Sequence, residues 1–264
     1  MRVIIEEDYG AMSRRAAAIV AAMIRDKPAL VLGLATGGTP IGLYSELIHR
    51  NREEGLAFSR VTTFNLDEYY GLPPQHEQSY GHFMRKHLFD HINVPEGNIH
   101  LPDGTVVDVD AFCRQYERMI DEAGGVDLQV LGIGADGHIG FNEPGSSLAS
   151  RTRLVALGTR TIKDNARFFQ SNDQAVPRAA ITMGVGTILE ARTCLLLASG
   201  TNKAGVVAQA IEGPITSQVT ASALQLHPHT IAILDQRAAS LLRRKDEYVR
   251  SETLLRELRA GGPG

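Results

Sequence analysis

Asp136, His138 and Glu143 fall within eight positions of one glycine-rich stretch, GIGADGHIGFNEPGSS. Glycines let a short loop fold back tightly, so three titratable side chains can converge on one point. An imidazole flanked by carboxylates stays oriented and can shuttle a proton. Other readings compete. A metal site would need a second histidine at ligand spacing, and the flanking ones are His100 and His227. A serine hydrolase would need a G-x-S-x-G elbow, which the sequence lacks. A merely capped turn would leave three titratable groups without a task.

A second acidic group is Asp67-Glu68, in TFNLDEYYGL. Neighbours on an extended chain point to opposite sides, so at most one of the two faces a given cleft. A carboxylate there could take a proton from carbon. The alternative is a helix cap or a solvated acidic pair.

Two further stretches suit an anion. In LGLATGGTPIGLY an apolar run meets Thr36, Gly37, Gly38 and Thr39, and Pro40 opens a helical pattern. Two glycines permit positive φ and close backbone approach, and the free amides of a helix start attract negative charge. No lysine follows to complete a nucleotide-binding P-loop, and the glycines do not fit G-x-G-x-x-G. The other reading is a tight turn between strand and helix. In LLLASGTNKAGVVAQAIEG, Lys203 occupies the first turn of a helical pattern. A cation there opposes the helix dipole by roughly 0.3–1 kcal/mol, and a bound anion reverses the sign. Arg167, in NARFF, could add a second cation.

These groups need a scaffold that presents strand ends to one crevice. Apolar runs at 2–5, 29–35, 61–66, 128–133, 193–198 and 230–235 read as strands. Amphipathic patterns at about 9–26, 41–53, 79–90, 110–123, 201–212 and 236–249 read as helices. Near-continuous apolar strands with intervening helices imply a single α/β domain over 1–264: a Rossmann-like, mostly parallel sheet covered on both faces. Ligands of such sheets bind beyond the carboxyl ends of the strands. Residues 149–179 break the rhythm with Arg, Thr, Asn and Gln, which suggests a mobile lid over the site in preference to a second small domain. The terminal RAGGPG reads as a frayed tail.

Composition narrows the class. A net charge of -3 argues against a polyanion partner such as nucleic acid. The longest apolar run, AAAIVAAMI from Ala16 to Ile24, is shorter than the roughly 20 residues of a membrane span. It also lacks the position and cleavage site of a secretory signal. Cys113 sits in a helical pattern and Cys194 in an apolar run, so both read as small buried hydrophobes of a cytoplasmic protein.

Taken in order, ATGGTPIGLY, TFNLDEYYGL, GIGADGHIGFNEPGSS, SRTR, ARFF, GVGTILEA, GTNKA and LQLHPH closely resemble the segments of glucosamine-6-phosphate deaminases. The resemblance runs from the first strand to about residue 250. It implies conversion of D-glucosamine 6-phosphate and water to D-fructose 6-phosphate and ammonia, without cofactor or metal. It implies Asp67 as the base for enolisation, and Asp136, His138 and Glu143 as the ring-opening group. The Gly37-Gly38-Thr39 turn, Arg167 and Lys203 would hold the sugar phosphate. A 6-phosphogluconolactonase on a related fold, or a sugar-phosphate sensor without turnover, are the rival expectations.

Many members of that family are hexamers activated by N-acetylglucosamine 6-phosphate, so a homo-oligomer is expected. Their activator site draws on the serines after the catalytic loop and on an SRTR-x-K stretch. Ser146 and Arg153 match it, but Val155 stands where a basic residue is expected. Activation should therefore be weak, absent or rebuilt from other residues.

Overall fold

The computed structural model describes residues 1–166, 169 and 175–260. Its strands are β1 (Arg2–Glu6), β2 (Val31–Leu34), β3 (Thr62–Asn65), β4 (Asp67–Tyr69), β5 (Ile99–His100), β6 (Leu128–Leu131), β7 (Arg153–Ala156), β8 (Ala179–Thr182), β9 (Cys194–Ala198) and β10 (Thr230–Asp235). Its α-helices are α1 (Tyr9–Asp26), α2 (Ile41–Glu53), α3 (Tyr80–His87), α4 (Val109–Glu122), α5 (Thr159–Ala166), α6 (Val185–Leu189), α7 (Ala204–Glu212) and α8 (Lys245–Ala260).

Seven strands form one parallel sheet in the order β1-β10-β9-β6-β2-β3-β5. Strand faces alternate, and the alternation sorts the core into two layers. Leu32, Leu34, Val130, Leu195 and Ile233 pack against α1, α2 and α3. Val31, Phe64, Leu131, Leu196 and Leu234 pack against α4, α6 and α7. Helices thus cover both faces, as the apolar runs predict. The sheet's order reverses between β2 and β6: from β2 the chain builds outward through β3, and from β6 it builds the other way through β9. A crevice opens where connections diverge in this manner.

The remaining strands form a small antiparallel sheet, β4-β8-β7. It carries its own apolar cluster of Tyr69, Phe141, Leu157, Ile162, Phe169 and Val176. The segment 149–179 is therefore not wholly irregular: it holds β7, α5 and the start of β8. Its root is fixed. The Glu117 carboxylate on α4 accepts the Thr152 amide at 2.8 Å and the Thr187 hydroxyl at 2.6 Å. At the other end of the chain the expected helix 236–249 is displaced. Residues 236–244 turn, held at the outset by the Ala238 amide on the Asp235 carboxylate at 2.7 Å, and the helix begins at Lys245. The last four residues of the tail expected to fray lie outside the described residues. Cys113 and Cys194 are buried free thiols. No described helix is long and apolar enough to cross a membrane.

Candidate active site

The loops after β2 and β6, the two strands at the reversal, face one cavity of about 780 Å³. Thr36, Gly37, Gly38, Thr39, Asp67, His138 and Lys203 all line it. After β2 the chain turns at Gly37, whose φ of +104° a side chain would strain. A Cβ built on Gly37 or Gly38 would meet nothing within 4 Å. The turn therefore presents bare backbone to open space, as close approach of a ligand requires. Thr36 and Tyr80 both line the cavity, so the turn and the start of α3 share one wall of it.

Asp67 and Glu68 divide as alternation requires. Both are buried, at 5% and 2% exposure. Glu68 points away from the cavity and accepts the amides of Tyr69, Tyr80 and Gly81 at 2.8–2.9 Å, two of them at the start of α3. It is the cap of the alternative reading. Asp67 faces the cavity. Burial, reinforced by the charge of Glu68, pushes the Asp67 carboxyl up to about 8. Burial also raises Glu68, to about 7, against the pull of its three amides.

The loop after β6 runs beneath Asp67. At Gly140, φ +57°, an added Cβ would come 3.4 Å from Asp67 Oδ2 and 2.9 Å from Thr182 Oγ1. Only glycine lets the loop pass so near. His138 Nδ1 lies 2.6 Å from Asp136 Oδ1. Burial alone would raise Asp136, but the close approach of the His138 ring and the His138 amide, which the carboxylate accepts at 3.2 Å, outweigh it and hold the carboxyl at about 2. Asp136 is thus a fixed anion behind the ring.

Glu143 does not complete the expected convergence. Its carboxylate accepts the Gly158 amide at 2.8 and 3.1 Å, just before α5. An open amide near a helix start competes for a carboxylate, and here it takes Glu143 toward the segment 149–179. The structure therefore joins Asp136 to His138 and seats Glu143 at the neighbouring joint.

Lys203 stands at the N-cap of α7, as its place in the sequence predicts. Its ammonium donates to the Ile133 carbonyl at 2.8 Å, linking the β9 loop to the β6 loop. Arg167 lies outside the described residues. Arg153 and Ser146 do meet: the guanidinium donates to Ser146 Oγ at 3.3 Å and to Asn142 Oδ1 at 2.9 Å. Burial holds Arg153 below its ordinary value. Val155 packs against the apolar cluster of the small sheet.

Sequence reasoning missed an aromatic wall. Tyr69 contacts Tyr80, Phe141 and Phe169, with ring centroids 4.9, 5.6 and 5.8 Å away. Asn165 of α5 lines the same cavity as Tyr69. Ser199 and Asn202 join the lining too. The only signal for these residues was their position, within a few places of a flagged loop. Among the described residues no group of three or more His, Cys, Asp or Glu is placed to hold a metal.

The parallel sheet thus presents a glycine turn and an imidazole at its strand ends, and β4 of the small sheet sets a buried carboxylate against the same cavity. A family model described as glucosamine-6-phosphate isomerases/6-phosphogluconolactonase matches residues 6–232, and the chain belongs to that family. Within it, a glucosamine-6-phosphate deaminase of Hahella chejuensis is 54% identical over 256 residues, covering 96% of this chain and 97% of the relative. Glucosamine-6-phosphate deaminase 2 of Bacillus subtilis is 51% identical over 244 residues, covering 92% and 98%. A solved monomeric glucosamine-6-phosphate deaminase superposes with a TM-score of 0.89 at 46% identity, covering 91% of this chain and all of that one. A 6-phosphogluconolactonase from Trypanosoma cruzi shares the fold alone, at a TM-score of 0.71 and 22% identity over 92% and 97% of the two chains.

Proposed function

We propose that the chain deaminates D-glucosamine 6-phosphate to D-fructose 6-phosphate and ammonia. The observation that carries this reading is the shared cavity: a buried carboxylate, an oriented imidazole and an anion turn open onto one space. The identities near 50% to deaminases, against 22% to a lactonase, support the same choice.

The substrate is a closed ring, and its C2 hydrogen becomes acidic only after opening. Opening takes a proton from the O1 hydroxyl and delivers one to the ring oxygen. His138 is suited to both transfers, and Asp136 fixes its orientation. Glu143, which the resemblance puts in the same group, acts here through the loop it ties to Gly158. Asp67 then removes the C2 proton while O1 takes one from the substrate's ammonium group, giving an enolamine with a hydroxyl on C1 and a neutral amine on C2. Return of the proton to C1 leaves an iminium at C2. Water adds there, and the C2–N bond breaks to release ammonia. The phosphate takes no part in the bond changes. Held by the residue 36–39 turn, Lys203 and Arg167, it keeps the reacting carbon at Asp67. Residues 149–179 would act as a lid, since Thr161, Lys163, Asp164 and Asn165 of α5 line the cavity and Gly158 just before it is tied to Glu143 of the catalytic loop.

The direct test is ammonia release from glucosamine 6-phosphate with no added metal. In heavy water the fructose 6-phosphate formed should carry solvent deuterium at C1. A lactonase would release no ammonia and needs no base for a C–H bond. A sensor would bind the sugar phosphate without turnover.

The solved relative that superposes with a TM-score of 0.89 is monomeric, which supports turnover without a second copy. If a homo-oligomer forms, Val155 still removes a cation from the Ser146–Arg153 site. We expect the rate to be hyperbolic in substrate and to change less than about twofold when N-acetylglucosamine 6-phosphate is added. A sigmoidal curve that the activator makes hyperbolic would overturn this. The free buried thiols and a phosphorylated metabolite as substrate favour the cytoplasm.

A further inference from the structure

Tyr9 belongs to none of the motifs, yet it touches the anion turn at two points and the start of α2 at a third. It is the first residue of α1, a helix whose N-cap is Asp8, with the Asp8 carboxylate accepting the Ala11 amide at 2.7 Å. The Tyr9 hydroxyl accepts the Gly42 amide at 2.7 Å and faces the carbonyls of Gly38 at 3.2 Å and Thr39 at 3.1 Å. We propose that Tyr9 is a positioning residue for the phosphate turn, fixing the Gly38–Thr39 peptide before substrate arrives. The proposal rests on the reading that residues 36–39 hold the sugar phosphate.

Two physical arguments carry it. An anion cradle fails if its carbonyls turn inward, because they repel the phosphate oxygens. In a trans peptide the N–H points opposite to the C=O. A hydroxyl that engages the Gly38 carbonyl therefore turns the Thr39 amide away from Tyr9. The Thr39 carbonyl is restrained by the same hydroxyl, and Pro40 beyond it has no N–H to turn. The glycines that suit this turn to a ligand also leave it floppy: Gly37 and Gly38 have no side chain and no protein within 4 Å of the Cβ position. Something outside the turn must hold it.

The second argument concerns the helix start. Pro40 flanks α2 without a side-chain cap. The Gly42 amide, which α2 leaves open, is satisfied by Tyr9 instead. The approach is tight enough to dictate sequence. A Cβ on Gly42 would come 2.3 Å from Ser13 Oγ and 2.9 Å from the Tyr9 hydroxyl. The first turns of α1 and α2 are thus seated on each other, with the hydroxyl as the shared point.

The test is Tyr9→Phe, which removes one oxygen from a partly exposed ring. We expect the KM for glucosamine 6-phosphate to rise about fivefold to tenfold, with kcat within twofold of wild type. The constant for competitive inhibition by inorganic phosphate should rise by the same factor, and the melting temperature should hold within about 3 °C. Unchanged KM and phosphate inhibition would overturn the proposal. So would a fall in kcat alone, which would place Tyr9 in the chemistry. If the variant melts early, hydrogen exchange of the wild type decides: the Gly42 amide must be protected without phosphate present, and fast exchange overturns the proposal. A wild type that phosphate does not inhibit would remove the phosphate reading itself, and the role of Tyr9 with it.

Discussion

Asp67→Asn is expected to lower ammonia release by about 10²–10⁴-fold, with substrate still bound, and to melt later than wild type at alkaline pH. The two effects have one cause. Burial and the neighbouring Glu68 raise the Asp67 carboxyl to about 8. An acid whose folded value lies above its unfolded value of about 4 opposes folding wherever the unfolded chain is ionised. The opposition is absent below about pH 4, grows as pH rises and is complete above about 8. Asparagine has nearly the same shape and never ionises. The variant should match the wild type near pH 4 and exceed it by about 3 °C or more near pH 8.5. In the wild type, the same group gives kcat/KM a rising limb centred near pH 8. Equal melting temperatures at both pH values would put the Asp67 carboxylate in a wetter place than its 5% exposure implies. Full turnover in the variant would remove Asp67 from the mechanism.

His138→Gln is expected to reduce turnover of the closed-ring substrate by about 10²–10³-fold. An acyclic aldehyde analogue that cannot close its ring should lose less than about fivefold. The contrast follows from the proposed separation of roles, in which the imidazole opens the hemiacetal and Asp67 works on the aldehyde that results. Asp136→Asn should show the same contrast with a smaller loss. It keeps the shape beside His138 Nδ1, 2.6 Å away, but removes the anion that orients the ring. Equal damage to both substrates would assign His138 to a later step.

The large sheet was legible because its strands are buried on both sides. β2, β6 and β9 are buried at every residue, and apolar continuity is the signal of such strands. The small sheet was not. β4 is three residues long and two of them are acidic, so Asp67 and Glu68 read as a loop beyond a strand. β7 alternates half-buried and exposed residues within a polar stretch, and β5 has two residues. The cavity lining was legible wherever a residue sits beside its own motif, as with residues 36–39, His138 and Lys203. Glu143 was misplaced because spacing gives proximity along the chain but not which amide wins the carboxylate. Tyr9 was invisible because its three contacts lie 29–33 positions away.

Asp67 is not carried by the sheet that carries the anion turn and the imidazole loop. The chain leaves the large sheet at Leu66, whose amide still pairs with Leu34 at 3.0 Å and whose carbonyl accepts Met183 at 2.7 Å. One residue later it belongs to β4, opposite Thr182, and Thr182 in turn faces Arg153 across β8. The reach from phosphate to base is therefore set by how two sheets dock. A slight tilt of the smaller one would move the Asp67 carboxylate relative to the residue 36–39 turn while leaving the strand pairing of the larger one intact.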